Sequence, residues 1–243
     1  MKRLIRKTVT LIKSLVLWFR PHIYLGWLRS TFFILANTLS LSKWISKQNK
    51  EGILNDFFCL KRDYSKRYTL YEYVINRLTL NNEPFDYVEF GVCAGHSIKW
   101  WSERISHPDS RFYGFDTFEG LPENWGTYRK GDMGSLIPQI DDIRIHFFKG
   151  LFQDTVPIFK KEGYLSQRRK VIHMDADLFS STLYALTSMA PYLNAGDVLF
   201  FDEFNVPNHE FLAFKIFTES YYIKTELMGA MNNYYQTAFI IQS

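Results

Sequence analysis

Only two cysteines, Cys59 and Cys93, occur in 243 residues. That scarcity excludes a disulfide framework and points to a reducing, cytoplasmic compartment. Acidic residues are missing from the first 50 positions, which hold ten Lys or Arg. The other 193 residues carry 19 basic and 25 acidic groups, so a mildly acidic body follows a strongly basic leader. The formal charge of +4 is therefore no footprint of a nucleic-acid groove, and no nucleic-acid partner is expected. A membrane-spanning run is also missing. The uncharged stretch STFFILANTLSLS, residues 30–42, has 13 residues where a span needs about 20. Lys13 and Arg20 break the first apolar run and no small-residue cleavage site follows cleanly, which argues against a signal peptide. Repeats and low-complexity segments are absent. So are G-x-G-x-x-G and G-x-x-x-x-G-K-[ST], which excludes a dinucleotide fingerprint and a P-loop.

What is present suffices for one α/β domain and an extension: hydrophobic residues make up 47% and aromatics 18%. Residues 1–50 read as a helical leader and 51–243 as the domain. In the leader, Leu4, Ile5, Val9, Leu11, Ile12, Leu15, Val16, Trp18 and Phe19 mostly share one helical stripe, with Lys2, Arg3, Arg6, Lys7 and Lys13 largely off it. Two readings stand. Residues 1–48 form a peripheral contact with the inner face of a membrane, or they pack on the domain or on a second copy in a homo-oligomer.

After a helical pattern at 69–79, strand-like runs alternate with helix-like ones. The strands are expected at 85–91, 111–116, 143–148, 170–177, 197–204 and 237–242. Helices are expected at 96–106, 180–190 and 209–221. That alternation predicts a Rossmann-like, doubly wound, mostly parallel sheet with helices on both faces. In such sheets ligands bind beyond the carboxyl ends of the strands. Acids collect there: Asp116, then Asp175 and Asp177, then Asp202 and Glu203.

The stretch VEFGVCAGHS, 88–97, puts Glu89 inside an apolar run and Gly91 and Gly95 in the turn after it. Glycine there lets backbone approach a ligand, and the amides of the following helix suit an anionic group. The pattern E-x-G-x-x-x-G-x-S resembles the first motif of class I S-adenosylmethionine-dependent methyltransferases. GFDTFEGLPENW (114–125), KGLFQDTVP (149–157), HMDADLFSSTLYAL (173–186) and GDVLFFDEF (196–204) extend the resemblance to the macrocin O-methyltransferase family, whose members methylate sugar hydroxyls. Many of those carry Asp-Asp where this chain has Asp202-Glu203.

The resemblance implies S-adenosyl-L-methionine held by Glu89, Gly91, Val92, Gly95, His96, Ser97, Asp116, Thr117, Phe118, Gly150 and Phe152. Asp116 would accept the ribose hydroxyls. Mg²⁺ or a similar ion would sit on Asp175, Asp202 and Glu203, because like charges so close need a cation and oxygen-only donors suit a hard one. Asp177 is the second choice of ligand and otherwise a catalytic group, with His209 and Glu210 as further candidates beside the acceptor. Phe118, Trp125 and Phe152 could line the donor or acceptor. His173, inside a strand, reads as a satisfied core histidine. The reaction expected is O-methylation of a sugar, glycan or other small molecule. The competing reading takes DAD, 175–177, as the D-x-D motif of a metal-dependent glycosyltransferase.

Overall fold

The computed structural model describes residues 2–48 and 51–242. The expected boundary near residue 50, with Lys50 of the basic leader, lies outside them. Three helices open the chain: α1 (Lys2–Phe19), α2 (His22–Leu25) and α3 (Arg29–Ser46), with a single 3-10 turn before α3. Then follow β1 (Leu54–Asn55), α4 (Lys66–Leu78), β2 (Phe85–Phe90), α5 (His96–Arg104), β3 (Arg111–Asp116), β4 (Ile145–Lys149) and α6 (Phe152–Lys161). The second half holds β5 (Arg169–Met174), α7 (Phe179–Met189), β6 (Val198–Phe201), α8 (Glu210–Tyr221), β7 (Thr225–Met231) and β8 (Gln236–Ile241).

The strands form one sheet in the order β1-β7-β8-β6-β5-β2-β3-β4. All pairings are parallel except those of β8. β2 is central and buried along its whole length. Its alternating side chains explain why: Phe85 and Tyr87 join the core under α4 and α5, whereas Val88 and Phe90 join the core under α6, α7 and α8. The chain leaves β2 toward β3 and returns through β5 on the other side, so the switch of direction falls between β2 and β5. A crevice opens at the carboxyl ends there. β7, TELMGAM, was not expected. Its Gly229 lets the backbone of β1 and Leu70 come close, so the segment lacks the β-branched signature of a strand.

The leader is not one unit. Every residue of α1 is exposed, whereas α3 docks through its second half. Leu41 enters the core, and Trp44 meets Phe204, Phe211, Phe214, Tyr234 and Phe239 at ring-centroid distances of 5.0–6.2 Å. Asn37 Nδ2 donates to Asn208 Oδ1 at 2.8 Å. The second half of α3 therefore packs on the core built by the rest of the chain. The spacing of Asn37, Leu41 and Trp44 puts them on one helical face.

Candidate active site

A cavity of about 490 Å³ lies at the switch point and is of nucleoside-plus-acceptor size. Its walls include Gly91, Val92, His96, Ser97, Asp116, Thr117, Phe152, Asp175, Asp177 and Glu203. Glu89, Gly95, Phe118, Gly150, Asp202, His209 and Glu210 stand behind that wall or beyond it.

The glycine turn is built on Asp116. Its Oδ2 accepts the backbone N–H groups of Val92 and Cys93, each at 2.8 Å, and its Oδ1 accepts that of Phe118 at 2.7 Å. The carboxylate thus orders two loops, a task sequence reasoning had not assigned to it. One lone pair remains on Oδ1 for a ribose hydroxyl. Gly91 has φ +94°, and a Cβ there would stand 1.8 Å from the carbonyl oxygen of Asp175. The bare backbone lets the first glycine loop pass against the D-x-D loop.

Glu89 does not reach the cavity. It is buried, accepts the Tyr87 hydroxyl at 2.8 Å, and burial pushes its pKa up to about 8. Tyr87 also meets Nδ1 of His173 at 2.8 Å, and the other ring nitrogen meets the Tyr71 hydroxyl at 3.2 Å. Burial drops His173 to about 3, so the ring is neutral and satisfied. The linkage has opposite signs. Glu89, raised above its unfolded value, contributes stability that is complete below about pH 4.5 and lost as pH rises through about 8. His173, depressed, costs stability only as pH falls from about 6.5 toward 3. Without divalent ions, the melting temperature should fall between pH 6 and pH 9. Glu89→Gln should flatten that slope and leave the acid limb in place; an unchanged slope in scanning calorimetry would refute the assignment.

Beyond Glu89 stands the acid cluster. Burial first, then Asp202 and Asp177, raise Asp175 well above the carboxylate range. Burial and the neighbouring Glu203 push Asp177 up to about 8. Asp202 and Glu203 are raised as well, chiefly by burial. Groups from distant parts of the chain answer this charge. Tyr64 donates its hydroxyl to Asp202, and Tyr235 donates its own to Glu203. The Arg67 guanidinium stands 3.7 Å from Asp202 and 4.3 Å above the Tyr64 ring; Arg62 covers Tyr235 at 3.6 Å. The Asn232 and Asn233 side chains pin the strap formed by residues 59–64 through paired hydrogen bonds with the backbone of Asp63 and Cys59. No local motif marks Tyr64, Arg67 or Tyr235.

Among the described residues no three His, Cys, Asp or Glu side chains are gathered tightly enough to hold a metal ion. The donor chemistry still fits a hard divalent cation: the cluster is oxygen-only, its like charges crowd one another, and Asp202 Oδ1 is buried without a partner.

His209 and Glu210 fall into different places. The backbone N–H of Phe179 donates to His209 Nδ1 at 3.2 Å, and burial lowers the ring's pKa. A neutral ring bonded this way carries its proton on Nε2, which makes it a donor and not a base. Glu210 is fully buried at the start of α8 and its Oε2 accepts the Glu203 backbone N–H at 2.9 Å. It positions Glu203 and does not line the cavity.

A parallel sheet with its crevice at the switch point, a glycine turn after the first central strand and an acid closing the next strand define the class I methyltransferase fold. Residues 88–204 match the family model described as a methyltransferase domain. A relative from Streptomyces olivaceus, 8-demethyl-8-(2,3-dimethoxy-alpha-L-rhamnosyl)-tetracenomycin-C 4'-O-methyltransferase, is 28% identical over 164 residues, which are 58% of this chain and 61% of that protein. The match thus spans about three fifths of the relative's length. Among solved structures, the calicheamicin methyltransferase CalS11 superposes with a TM-score of 0.56 at 18% identity, over 85% of this chain and 91% of that one. The O-methyltransferase NovP gives 0.56 at 20% identity, over 74% and 79%. Both show the same fold. The D-x-D glycosyltransferase reading is set aside, because Asp175 and Asp177 lie within the segment that matches the methyltransferase domain.

Proposed function

We propose that the chain is an S-adenosyl-L-methionine-dependent O-methyltransferase acting on a hydroxyl of a sugar, a glycan or a similar small molecule. One observation carries this reading: the Asp116-ordered glycine turn and the acid cluster open into one cavity. The similarity to a methyltransferase named for a rhamnosyl acceptor favours a sugar hydroxyl.

The donor, when bound, supplies a sulfonium methyl group; a divalent cation, when bound, supplies charge that offsets the acids and acidifies a nearby hydroxyl. The protein does the rest. Gly91, Val92 and Ser97 would hold the amino-acid part of the donor, and Asp116 and Thr117 would hold its ribose. Phe152 lines the wall, an apolar surface suited to a cation whose charge vanishes on transfer. Asp175, Asp202 and Glu203 would hold the cation, with Glu210 fixing the backbone under Glu203. Asp177, which lines the cavity with Asp175 and Ser180, would take the acceptor's proton as the methyl group is transferred. Calorimetric titration of S-adenosylhomocysteine tests the reading. Wild type should bind, and Asp116→Ala should bind at least about 100-fold more weakly, since three charge-assisted hydrogen bonds are lost with the carboxylate. No binding by wild type would overturn it.

The leader supports attachment to a membrane face. Among the described residues no helix is long and apolar enough to cross a membrane. Yet α1 leaves Leu4, Leu11, Leu17, Trp18 and Phe19 at 61–77% exposure beside its basic side chains. Such a helix lies in the interface of an anionic bilayer. Full-length protein should float with anionic vesicles, and a form lacking residues 1–27, which keeps Trp44 in place, should not. If the full-length protein stays at the bottom of the gradient with a doubled mass, a second copy covers the leader instead.

A further inference from the structure

A second cavity, about 340 Å³, lies between α3 and the loop that follows β3. Ile34 of α3 forms one wall. Trp125 and Tyr128 form another; their rings stack at 5.4 Å and 14°, and each residue's backbone N–H donates to the other's carbonyl. Val206 and Pro207 complete the apolar lining, and His209 closes one side, its ring 6.2 Å from that of Trp125.

Two features make this more than a gap under a helix. The first is its neighbour. Glu123, two residues before Trp125, and Ser180, next to the Phe179 whose N–H binds His209, both line the catalytic cavity. A hydrogen bond from Ser180 Oγ to Glu123 Oε1, 2.7 Å, links the two, so one thin partition of loop and helix end separates the cavities. The second is the approach. Ile34 is 48% exposed and sits among Phe32, Phe33 and Leu35, which are 50–61% exposed on the undocked half of α3. An apolar path thus runs from the leader to the edge of the active site. It ends at a ring nitrogen, Nε2 of His209, that can only donate a hydrogen bond.

We infer that this cavity holds the apolar portion of an amphiphilic acceptor, a sugar head carried on an alkyl or isoprenoid chain, with His209 donating to the oxygen that joins head and chain. The placement of the head in the acid pocket rests on the methyltransferase reading; the apolar site does not. Ile34, Val206 and Pro207 offer apolar surface that an alkyl chain buries. A volume of this size takes a chain segment and not a protein helix.

The test is calorimetric titration of the full-length protein with octyl β-D-glucoside below its micelle concentration, and with glucose. Ile34→Trp and Val206→Trp each narrow the cavity, and neither residue lines the catalytic cavity. Wild type should bind the alkyl glucoside at least about tenfold more tightly than glucose, because burying even two methylenes is worth that much. Both variants should lose the preference while their affinity for glucose stays the same. Equal affinity of wild type for the two ligands would overturn the proposal. So would a preference that survives in both variants, since the chain would then sit on the exposed leader helices. S-adenosylhomocysteine, titrated into the same samples, reports on the methyltransferase reading separately: its failure to bind, with the chain preference intact, would overturn that reading and leave the apolar site standing.

Discussion

Asp202→Asn should lower turnover by about 10²–10³-fold while leaving affinity for S-adenosylhomocysteine within about twofold. The amide is isosteric and can still accept the Tyr64 hydroxyl, so the packing at the end of β6 is kept. What changes is charge. Asp202 is fully buried, its Oδ1 has no partner, and it stands in a group of acids that repel one another. On the proposed reading Asp202 would help hold a divalent cation, and removing its negative charge would weaken that hold. Steady-state rates across a Mg²⁺ series, paired with donor-product titration, check both parts. Equal losses in turnover and donor affinity would show that Asp202 supports the fold of the donor site and not the chemistry.

The second large effect is on stability. Gly91→Ala should cost about 3 kcal/mol or more, through left-handed backbone strain and a direct overlap with neighbouring backbone. The strain follows from φ +94°, and the overlap from a Cβ standing 1.8 Å from the Asp175 carbonyl oxygen. Backbone at the centre of a sheet cannot move aside as a side-chain tip can. In a chain of this size the melting temperature should drop by about 6–12 °C. Gly52→Ala is the control: its φ is +73° but nothing lies within 4 Å of the added carbon. It should show the strain alone, about 1 kcal/mol. A Gly91→Ala protein that melts like the control would mean that the two loops do not meet as described.

Much of this architecture was legible because it is periodic or local. The alternation of short apolar runs with helical spacing is a property of neighbouring residues, and it predicted a mostly parallel sheet with helices on both faces. Acids just beyond the strand ends, glycines at 91 and 95, and the order of the motifs are equally local; they pointed to one cavity and to the methyltransferase class. β7 escaped because its Gly229 answers to β1 and Leu70, partners far away in sequence.

What the tertiary structure alone decided depends on which atoms meet across long separations. Leu41 and Trp44 look like leader residues by composition, yet they complete the core against Phe204, Phe214 and Phe239. Tyr64 and Tyr235, 171 positions apart, both donate to the acid cluster because the strap is pinned by Asn232 and Asn233. Asp116 carries three backbone N–H groups, which turns an expected ribose contact into the fastening of two loops. His209, read from its position as a candidate base, is a donor because one backbone N–H of Phe179 occupies Nδ1. A residue's type states what it can exchange with its surroundings; the side of the ring on which the proton rests is settled only by the neighbour the fold brings to it.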